Sequence, residues 1–280
     1  MDTALEDTTE FFDSDEELQV KIKEFATLLR KSTHTVFFTG AGISTSAGIP
    51  DFRGPTGIWT LQAKGLPTPS LDTMNNILPT PTHMAMVALQ DRNMLKFVIS
   101  QNVDGLHLRS GIKPHALAEL HGNTNIERCL VCSKHYYRPF RVRPLGAADP
   151  SGRHLTGRKC EQCVGLLRDS IVHFGEGLPD RDLEAGFEHS RKCDLMVVLG
   201  SSLSVYPAAE LPHRAAQAGA QFVIINLQRT PMDDLATLRI FAQVDRVMVA
   251  VMKELNMLVP PVQDLQKELA DSQVAVRSLM

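Results

Sequence analysis

No lysine or arginine precedes Lys21 in this 280-residue chain. A mitochondrial transit peptide is rich in arginine and poor in acid, and a secretory signal opens with a positive stretch ahead of an apolar run, so neither is expected here. No apolar run approaches the roughly 18 uncharged residues that cross a bilayer, so no membrane partner is expected either. Cysteine is scarce, five in all, and without an export signal these five read as thiols or metal ligands rather than disulfides. Together the absences predict an intracellular, soluble protein. Internal repeats, low-complexity tracts and a dense basic run of nuclear-import type are missing as well.

What is there suffices for a sizeable core: 43% of the residues are hydrophobic and 22% charged, at a length that suits a large domain carrying a small one. The net charge of -3 conceals an asymmetry. Asp2, Glu6, Asp7, Glu10, Asp13, Asp15, Glu16 and Glu17 crowd the segment ahead of Lys21, and discounting them leaves residues 21–280 at +5. An acidic leader over 1–19 precedes a mildly basic body, and it is expected to be dispensable for chemistry.

Apolar positions from Glu16 to Lys31 recur at helical spacing, and the run Thr35 to Thr39 has the β-branched and aromatic make-up of a buried strand. Leu95 to Ile99, Leu195 to Leu199 and Phe222 to Ile225 read the same way, with helical patterns between them. Strands alternating with helices predict an α/β fold with a parallel sheet covered on both faces. Two stretches break the alternation. Residues Gly54 to Pro81, rich in Gly, Pro and Thr and holding the single tryptophan, Trp59, read as a long functional loop with a short helix. Residues Thr124 to Ser170 read as a small insert. A polar, helical tail follows from 257 to 280.

The insert holds two pairs, Cys129-x2-Cys132 and Cys160-x2-Cys163, separated by positions 133–159. Each pair places two thiolates on one knuckle, and two knuckles close a tetrahedral zinc site that stabilises a unit too small for its own core. Four thiolates leave no position for water, so this metal is expected to be structural. Cys193 reads as a small core residue.

Gly40-Ala41-Gly42-Ile43-Ser44-Thr45-Ser46-Ala47-Gly48 follows the first strand and could open a helix. Glycines let a backbone approach a pyrophosphate, and amides at a helix start bind the anion. The spacing is G-x-G-x5-G rather than the G-x-G-x-x-G of dehydrogenases, so by itself it leaves a tight packing turn as the alternative. Further polar clusters end the other predicted strands: Gln101-Asn102-Val103-Asp104, Gly200-Ser201-Ser202 and Asn226-Leu227-Gln228. In an open parallel sheet those ends line the ligand crevice.

These motifs, with Ile49-Pro50-Asp51-Phe52-Arg53, Gly105-Leu106-His107 and His121-Gly122-Asn123, occur in the order found in sirtuins, and the resemblance spans roughly residues 20–256. The chain is most similar to the class IV, nuclear branch, through Gly54-Pro55-Thr56-Gly57-Ile58-Trp59-Thr60, the stretch from Leu167 to Glu176, and Asn226-Leu227-Gln228. The desuccinylase branch is less similar, because no Tyr-x-x-Arg pair follows the Arg53 loop.

The resemblance implies an NAD-dependent protein-lysine deacylase. A Rossmann-like domain (20–123 and 171–256) would carry a cofactor-binding loop at about 51–81, and a zinc-binding domain (124–170) would pack beside it with NAD in the cleft between. It implies NAD contacts at Gly40, Ala41, Gly42, Thr45, Asp51, Phe52, Arg53, Trp59, Gln101, His121, Gly200, Ser201, Ser202, Asn226, Leu227, Gln228 and Val244. Asn102 and Asp104 would line the nicotinamide pocket, and His173-Phe174-Gly175-Glu176 the groove in which an acylated peptide adds as a strand, its lysine arm entering an apolar tunnel. In the family's mechanism the acyl oxygen captures the nicotinamide ribose at C1′, and His121 then acts as general base on the ribose hydroxyls, yielding free lysine and 2′-O-acyl-ADP-ribose. Implied partners are acylated lysines of proteins, histone tails among them, with nucleosome or DNA contact, in the nucleus, with the cytoplasm as the alternative location.

Three other functions would use parts of this sequence. Mono-ADP-ribosyl transfer would use the same NAD site with another nucleophile. A zinc-dependent chromatin module with a decayed site is opposed by the intact His121, Asn102, Asp104 and Arg53. A hydride-transferring dehydrogenase is opposed by the glycine spacing and by the lack of an acidic residue after a second strand for the ribose.

Overall fold

The computed structural model describes residues 7–69, 77–143 and 152–271. The first helix, α1 (Asp15–Lys31), starts where the sequence supplies a reciprocal cap. The Ser14 hydroxyl accepts from the Glu17 amide, and the Glu17 carboxylate accepts from the Ser14 amide, which satisfies two of the otherwise orphaned donors. It leads into β1 (Thr35–Thr39), buried along its whole length.

Five further strands join β1 in a six-stranded sheet: β2 (Leu95–Ser100), β3 (Leu117–Glu119), β8 (Leu195–Leu199), β9 (Gln221–Ile225) and β10 (Leu238–Ile240). The order is β10-β9-β8-β1-β2-β3, and every pairing is parallel. This is the doubly wound arrangement, with its switch point between β1 and β8. Side chains alternate across the sheet as the two-residue period requires. Phe37, Val98, Val197 and Val223 join the core under α1, α3 (Pro81–Asp91) and α7 (Val244–Glu254). Val36, Phe38, Ile99, Val198 and Ile224 join the opposite core, under α5 (Asp180–Lys192) and α6 (Glu210–Gln217). Cys193 lies buried in that second core, as the sequence suggested.

The insert forms a four-stranded antiparallel sheet, order β5-β4-β7-β6, from β4 (Ile126–Cys129), β5 (His135–Tyr137), β6 (Leu155–Lys159) and β7 (Leu166–Asp169). Its own core is minimal: Cys129, Tyr136, Cys160 and Leu167, with Cys132 packed against them. Its two ends are clasped. The Asn123 amide donates to the Ser170 hydroxyl at 3.0 Å, and that hydroxyl donates to the Asn123 carbonyl at 2.8 Å.

Short helices complete the fold: α2 (Ile58–Ala63) in the expected long loop, α4 (Leu106–Ser110), and α8 (Gln266–Asp271) in the tail. Residues 70–76 of the loop and 272–280 of the tail lie outside the described residues.

One expectation needs correction. Gly40–Gly48 opens no α-helix; it forms two single 3-10 turns, Ala41–Ile43 and Thr45–Ala47, because the first glycines are held against the loop after β8. The acidic leader meets α1 at Asp15 and is hydrogen-bonded to the body. The Phe11 amide donates to the Leu227 carbonyl at 2.9 Å, the Asp13 amide to the Phe241 carbonyl at 2.8 Å, and the Asp13 carboxylate meets Lys21 at 2.6 Å.

Candidate active site

The carboxyl ends of β1 and β8 bring two glycine turns back to back. A Cβ on Gly40 would stand 2.6 Å from the Gly200 carbonyl oxygen, and one on Gly42 2.7 Å from the Gly200 Cα. Gly200 itself has φ +59, a region where only glycine is comfortable. The G-x-G of the first turn is therefore required by this close approach, and the Gly42 amide seals it by donating to the Gly200 carbonyl at 2.9 Å. Ala41 is half-buried in the turn and Thr45 is exposed at its rim.

The loop after β2 crosses in front of these turns. Asn102 Nδ2 donates to the Gly40 carbonyl at 3.0 Å, the Ser44 hydroxyl donates to Asp104 Oδ2 at 2.8 Å, and Gln101 Nε2 donates to the Ser201 hydroxyl at 2.7 Å. Ser201 is buried, and its hydroxyl also accepts from the Leu203 amide. Gln101, Asn102, Asp104, Gly40 and Ser201 thus form one hydrogen-bonded floor at the switch point. Burial pushes the Asp104 carboxyl up from its ordinary value, against the hydrogen bonds from the Leu106 amide and Ser44.

His121 stands beside this floor. Its Nδ1 lies 3.0 Å from the Gln101 carbonyl oxygen. A carbonyl can only accept, so Nδ1 carries the proton and Nε2 keeps its lone pair. Burial lowers the imidazole's pKa, with the Gln101 carbonyl pulling weakly the other way, so the ring is neutral at physiological pH. That is the state a general base requires. Gly122 follows with φ +83, and a Cβ there would fall 2.0 Å from the Ser170 carbonyl oxygen. The glycine of His-Gly-Asn is thus demanded by the clasp of the insert.

The long loop folds over the cleft. Trp59 gathers three partners: Phe52 at a ring separation of 4.7 Å, Phe174 at 5.6 Å, and the Arg53 guanidinium 4.4 Å above its ring. Loop and groove segment therefore meet through one aromatic cluster. The Asp51 carboxylate turns into its own loop, where it accepts from the Gly54 amide at 2.9 Å and fills the space a side chain at Gly54 or Gly57 would need. On the far side, Asn226 Nδ2 donates to the Gln228 carbonyl, and Gln228 Nε2 to the Arg53 carbonyl at 3.2 Å. Leu227 offers its carbonyl to Phe11. The Val244 side chain is buried in the core beneath the first glycine turn.

Sequence reasoning missed Arg239, the hub of this far side. Its guanidinium donates to the Asn226 carbonyl at 2.9 Å, to the Gln228 carbonyl at 2.5 Å and to Asp233 at 2.9 Å. It sits on the short edge strand β10, which carries no motif. His107 is structural: it is buried, its Nε2 lies 2.9 Å from the Thr39 hydroxyl, and its ring meets His83 at 4.9 Å.

A cavity of about 300 Å³ opens beside Asp104, lined by Ile49, Arg109, Thr124, Phe140, Arg141 and Gln266 among others. Its walls mix polar and apolar groups, unlike the wholly apolar tunnel expected for a lysine arm.

The four cysteine sulfurs all lie within 4.8 Å of one another, with 3.4 Å between Cys129 and Cys163 and 3.6 Å between Cys132 and Cys160. Tetrahedral zinc with sulfurs at about 2.3 Å needs neighbouring sulfurs about 3.8 Å apart. Amides of Val131 and Gln162 and the Tyr136 hydroxyl approach the sulfurs as donors. Burial would raise the Cys160 thiol, but the Tyr136 hydroxyl and the Cys163 and Gln162 amides hold it down at about 6. The tetrad suits one structural zinc ion. A second grouping, His154, Asp169 and His173, already holds the Arg143 guanidinium, 3.1 Å from His154 Nδ1 and 3.5 Å from Asp169.

The sequence model of the Sir2 family matches residues 40–207, more than half of the chain and inclusive of every turn described at the switch point. The chain belongs to the Sir2 family. Relatives of this Sir2 chain include the NAD-dependent protein deacetylase SRT1 of Arabidopsis thaliana, 48% identical over 90% of the chain and 53% of that protein. NAD-dependent protein deacetylase Sirt6 of Drosophila melanogaster is 44% identical over 90% of the chain and 80% of that protein. Human sirtuin-7 is 43% identical over 90% and 64%. The Sirt6 and sirtuin-7 relatives agree with the class IV resemblance. The chain spans about half the length of the SRT1 proteins it matches. Among solved structures, a Sir2 with deacetylated p53 peptide and 3′-O-acetyl ADP ribose superposes with a TM-score of 0.68 at 37% identity, covering 85% of this chain and 99% of that one. A Sir2 with p53 peptide and NAD+ gives 0.66 at 39%, covering 83% and 98%.

Proposed function

We propose that this chain is an NAD-dependent protein-lysine deacylase, and the observation that carries the reading is His121. It is a neutral imidazole with Nδ1 anchored to a carbonyl and Nε2 left with a lone pair, beside a floor built at the switch point of a parallel sheet. Relatives sharing 43–48% of its residues are named NAD-dependent protein deacetylases. Bound NAD supplies an electrophilic ribose carbon and nicotinamide as the leaving group. His121 takes a proton from a ribose hydroxyl at Nε2. Asn102 and Asp104 receive the nicotinamide end, and the raised pKa of Asp104 suits a carboxyl set against a neutral amide. Gly40, Ala41, Gly42, Thr45, Gly200, Ser201 and Ser202 would cradle the phosphates and their ribose, with Gln101. Asp51, Phe52, Arg53 and Trp59 would close over the cofactor, and Asn226, Leu227, Gln228 and Val244 would hold the adenosine end.

The substrate is an acylated lysine on a protein, laid between the insert and the sheet domain along His173–Glu176, where Phe174 is 81% exposed. Histone tails are the proposed source. The insert supports this: residues 124–170 hold nine Lys and Arg against four Asp and Glu. That surplus equals the whole +5 of residues 21–280, and it favours approach to nucleic acid or a nucleosome. The nucleus is accordingly the proposed location. No helix among the described residues is long and apolar enough to cross a membrane.

The test is mass spectrometry of acetylated histone peptide incubated with NAD. Nicotinamide, free lysine and 2′-O-acetyl-ADP-ribose should form in equal amounts, and a peptide that stays acetylated while NAD remains intact would refute the reading.

A further inference from the structure

Beyond the cleft, one interaction joins α4 to the tail of the chain. Arg109 on α4 is 4% exposed, and its Nε and Nη2 donate to the two carboxylate oxygens of Asp264 at 3.0 and 2.7 Å. A guanidinium cannot shed its charge by losing a proton, and a bidentate fork on a carboxylate is the pairing that tolerates its burial best. The Asp264 carboxyl would be raised by its own burial, but Arg109 holds it below the usual range.

The backbone reinforces the pair. The Leu265 amide donates to the Arg109 carbonyl at 2.8 Å, and Gln263 Nε2 donates to the Ser110 carbonyl at 2.7 Å. These carbonyls end α4, where a helix has no partners of its own. So short a helix cannot stand alone, and its position is inherited from what grips it. At its other end the Leu106 amide donates to Asp104 at 2.9 Å. Arg109 also donates to the Ile77 carbonyl, at the return of the long loop. Arg109 and Gln266 then line the cavity beside Asp104.

We propose that Asp264 is a positioning residue for the reaction: through Arg109 it fixes α4, and α4 fixes the carboxyl of Asp104, so that residues 263–266 strap the nicotinamide side of the site. Asp264 touches neither substrate nor cofactor. The inference rests on the reading of Asp104 as part of the nicotinamide pocket.

The test uses the full-length, zinc-loaded chain with Asp264→Ala, Asp264→Asn and Asp264→Glu. Misplacement of a reacting group by about 1 Å can cost about a hundredfold. Asp264→Ala and Asp264→Asn are expected to lose at least about tenfold in kcat, with KM for NAD within about threefold. Inhibition by nicotinamide should weaken, and amide exchange should accelerate across residues 104–110. Asp264→Glu should recover most of each change.

Because a buried, unpaired guanidinium can unfold a protein, Arg109→Met/Asp264→Leu removes both charges, and it should fold with the same low kcat. A lowered melting temperature with kcat and nicotinamide inhibition unchanged would overturn the proposal. If the wild-type chain itself showed no turnover, the deacylase reading would fall. The exchange measurement would then still decide the strap, since unchanged exchange at 104–110 in Asp264→Ala overturns it and faster exchange supports it.

Discussion

His121 carries its chemistry in one hydrogen bond. With Nδ1 committed to the Gln101 carbonyl, the ring cannot present the wrong nitrogen to a ribose hydroxyl. His121→Ala is expected to cut kcat by about 100-fold or more, within the range for loss of a general base, and denaturant titration should show stability little changed. Burial lowers the imidazole's pKa, so the acid limb of kcat/KM against pH should lie below the ordinary histidine value of about 6.5. A limb at or above that value would contradict the geometry. The neighbouring glycine is constrained more tightly still. Gly122→Ala must hold a positive φ and meet the Ser170 carbonyl, so it should lose about 1–3 kcal/mol of stability in chemical denaturation, and turnover with it. At this scale the sequence was informative wherever a motif marks residues that the fold brings together, as it does for His121 beside the Asn102 floor and for the four cysteines. It was silent on Arg109, Arg239 and Asp264, because a lone charged residue looks the same whether it faces water or knots three segments together.

Elements differ in how openly they announce themselves. The strands β1 and β8 are buried on both faces, so their apolar runs mark them nearly to the residue. The edge strands β3 and β10 are three residues long and carry no period that can be counted. The turns after β1 carry a helix-opening pattern, yet what decides them is the opposing loop at Gly200, far along the chain. The insert could be located by its cysteines but not given strands, since its small core leaves almost no apolar pattern. That thin core also makes the metal decisive there. Chelation should release one zinc per chain and abolish the β4–β7 signals in an amide exchange or NMR experiment, while the six-stranded sheet persists. On the opposite side of the cleft, Arg239→Met would leave the Asn226 and Gln228 carbonyls without their charged donor. Bonds to charged groups contribute about 1.5–3 kcal/mol, so NAD affinity by calorimetry should fall about tenfold or more if that loop holds the adenosine end.

For the molecule as a whole, pH acts through histidines buried far from the surface. Burial keeps His83 at about 3 and His107 well below its ordinary value, so both are neutral in the fold, whereas in the unfolded chain each takes a proton near 6.5. The stability they contribute is therefore fully present above about pH 6.5 and is lost as the pH falls toward about 3, at up to about 1.4 kcal/mol per group and pH unit. Urea unfolding at pH 7 and pH 5 should show this loss, and His83→Gln should flatten it; an equal slope in both proteins would count against the argument. The charge asymmetry changes meaning too. Among the described residues the acidic leader pairs with the domain at Phe11, through the Leu227 carbonyl, a docking invisible among eight carboxylates. The insert is the most basic part of the body, because the surplus of +4 over residues 21–123 is offset by -4 over residues 171–280.

The clasp of Asn123 on Ser170 lies close behind His121 in the chain, and the Val172 amide ties the returning strand to the His121 carbonyl at 3.0 Å. The chain thus leaves and re-enters the sheet domain side by side, next to His121. Ile126 and Tyr137 of the insert also join the core under α1 and α3, so the insert is fastened beside His121 and does not hinge freely there.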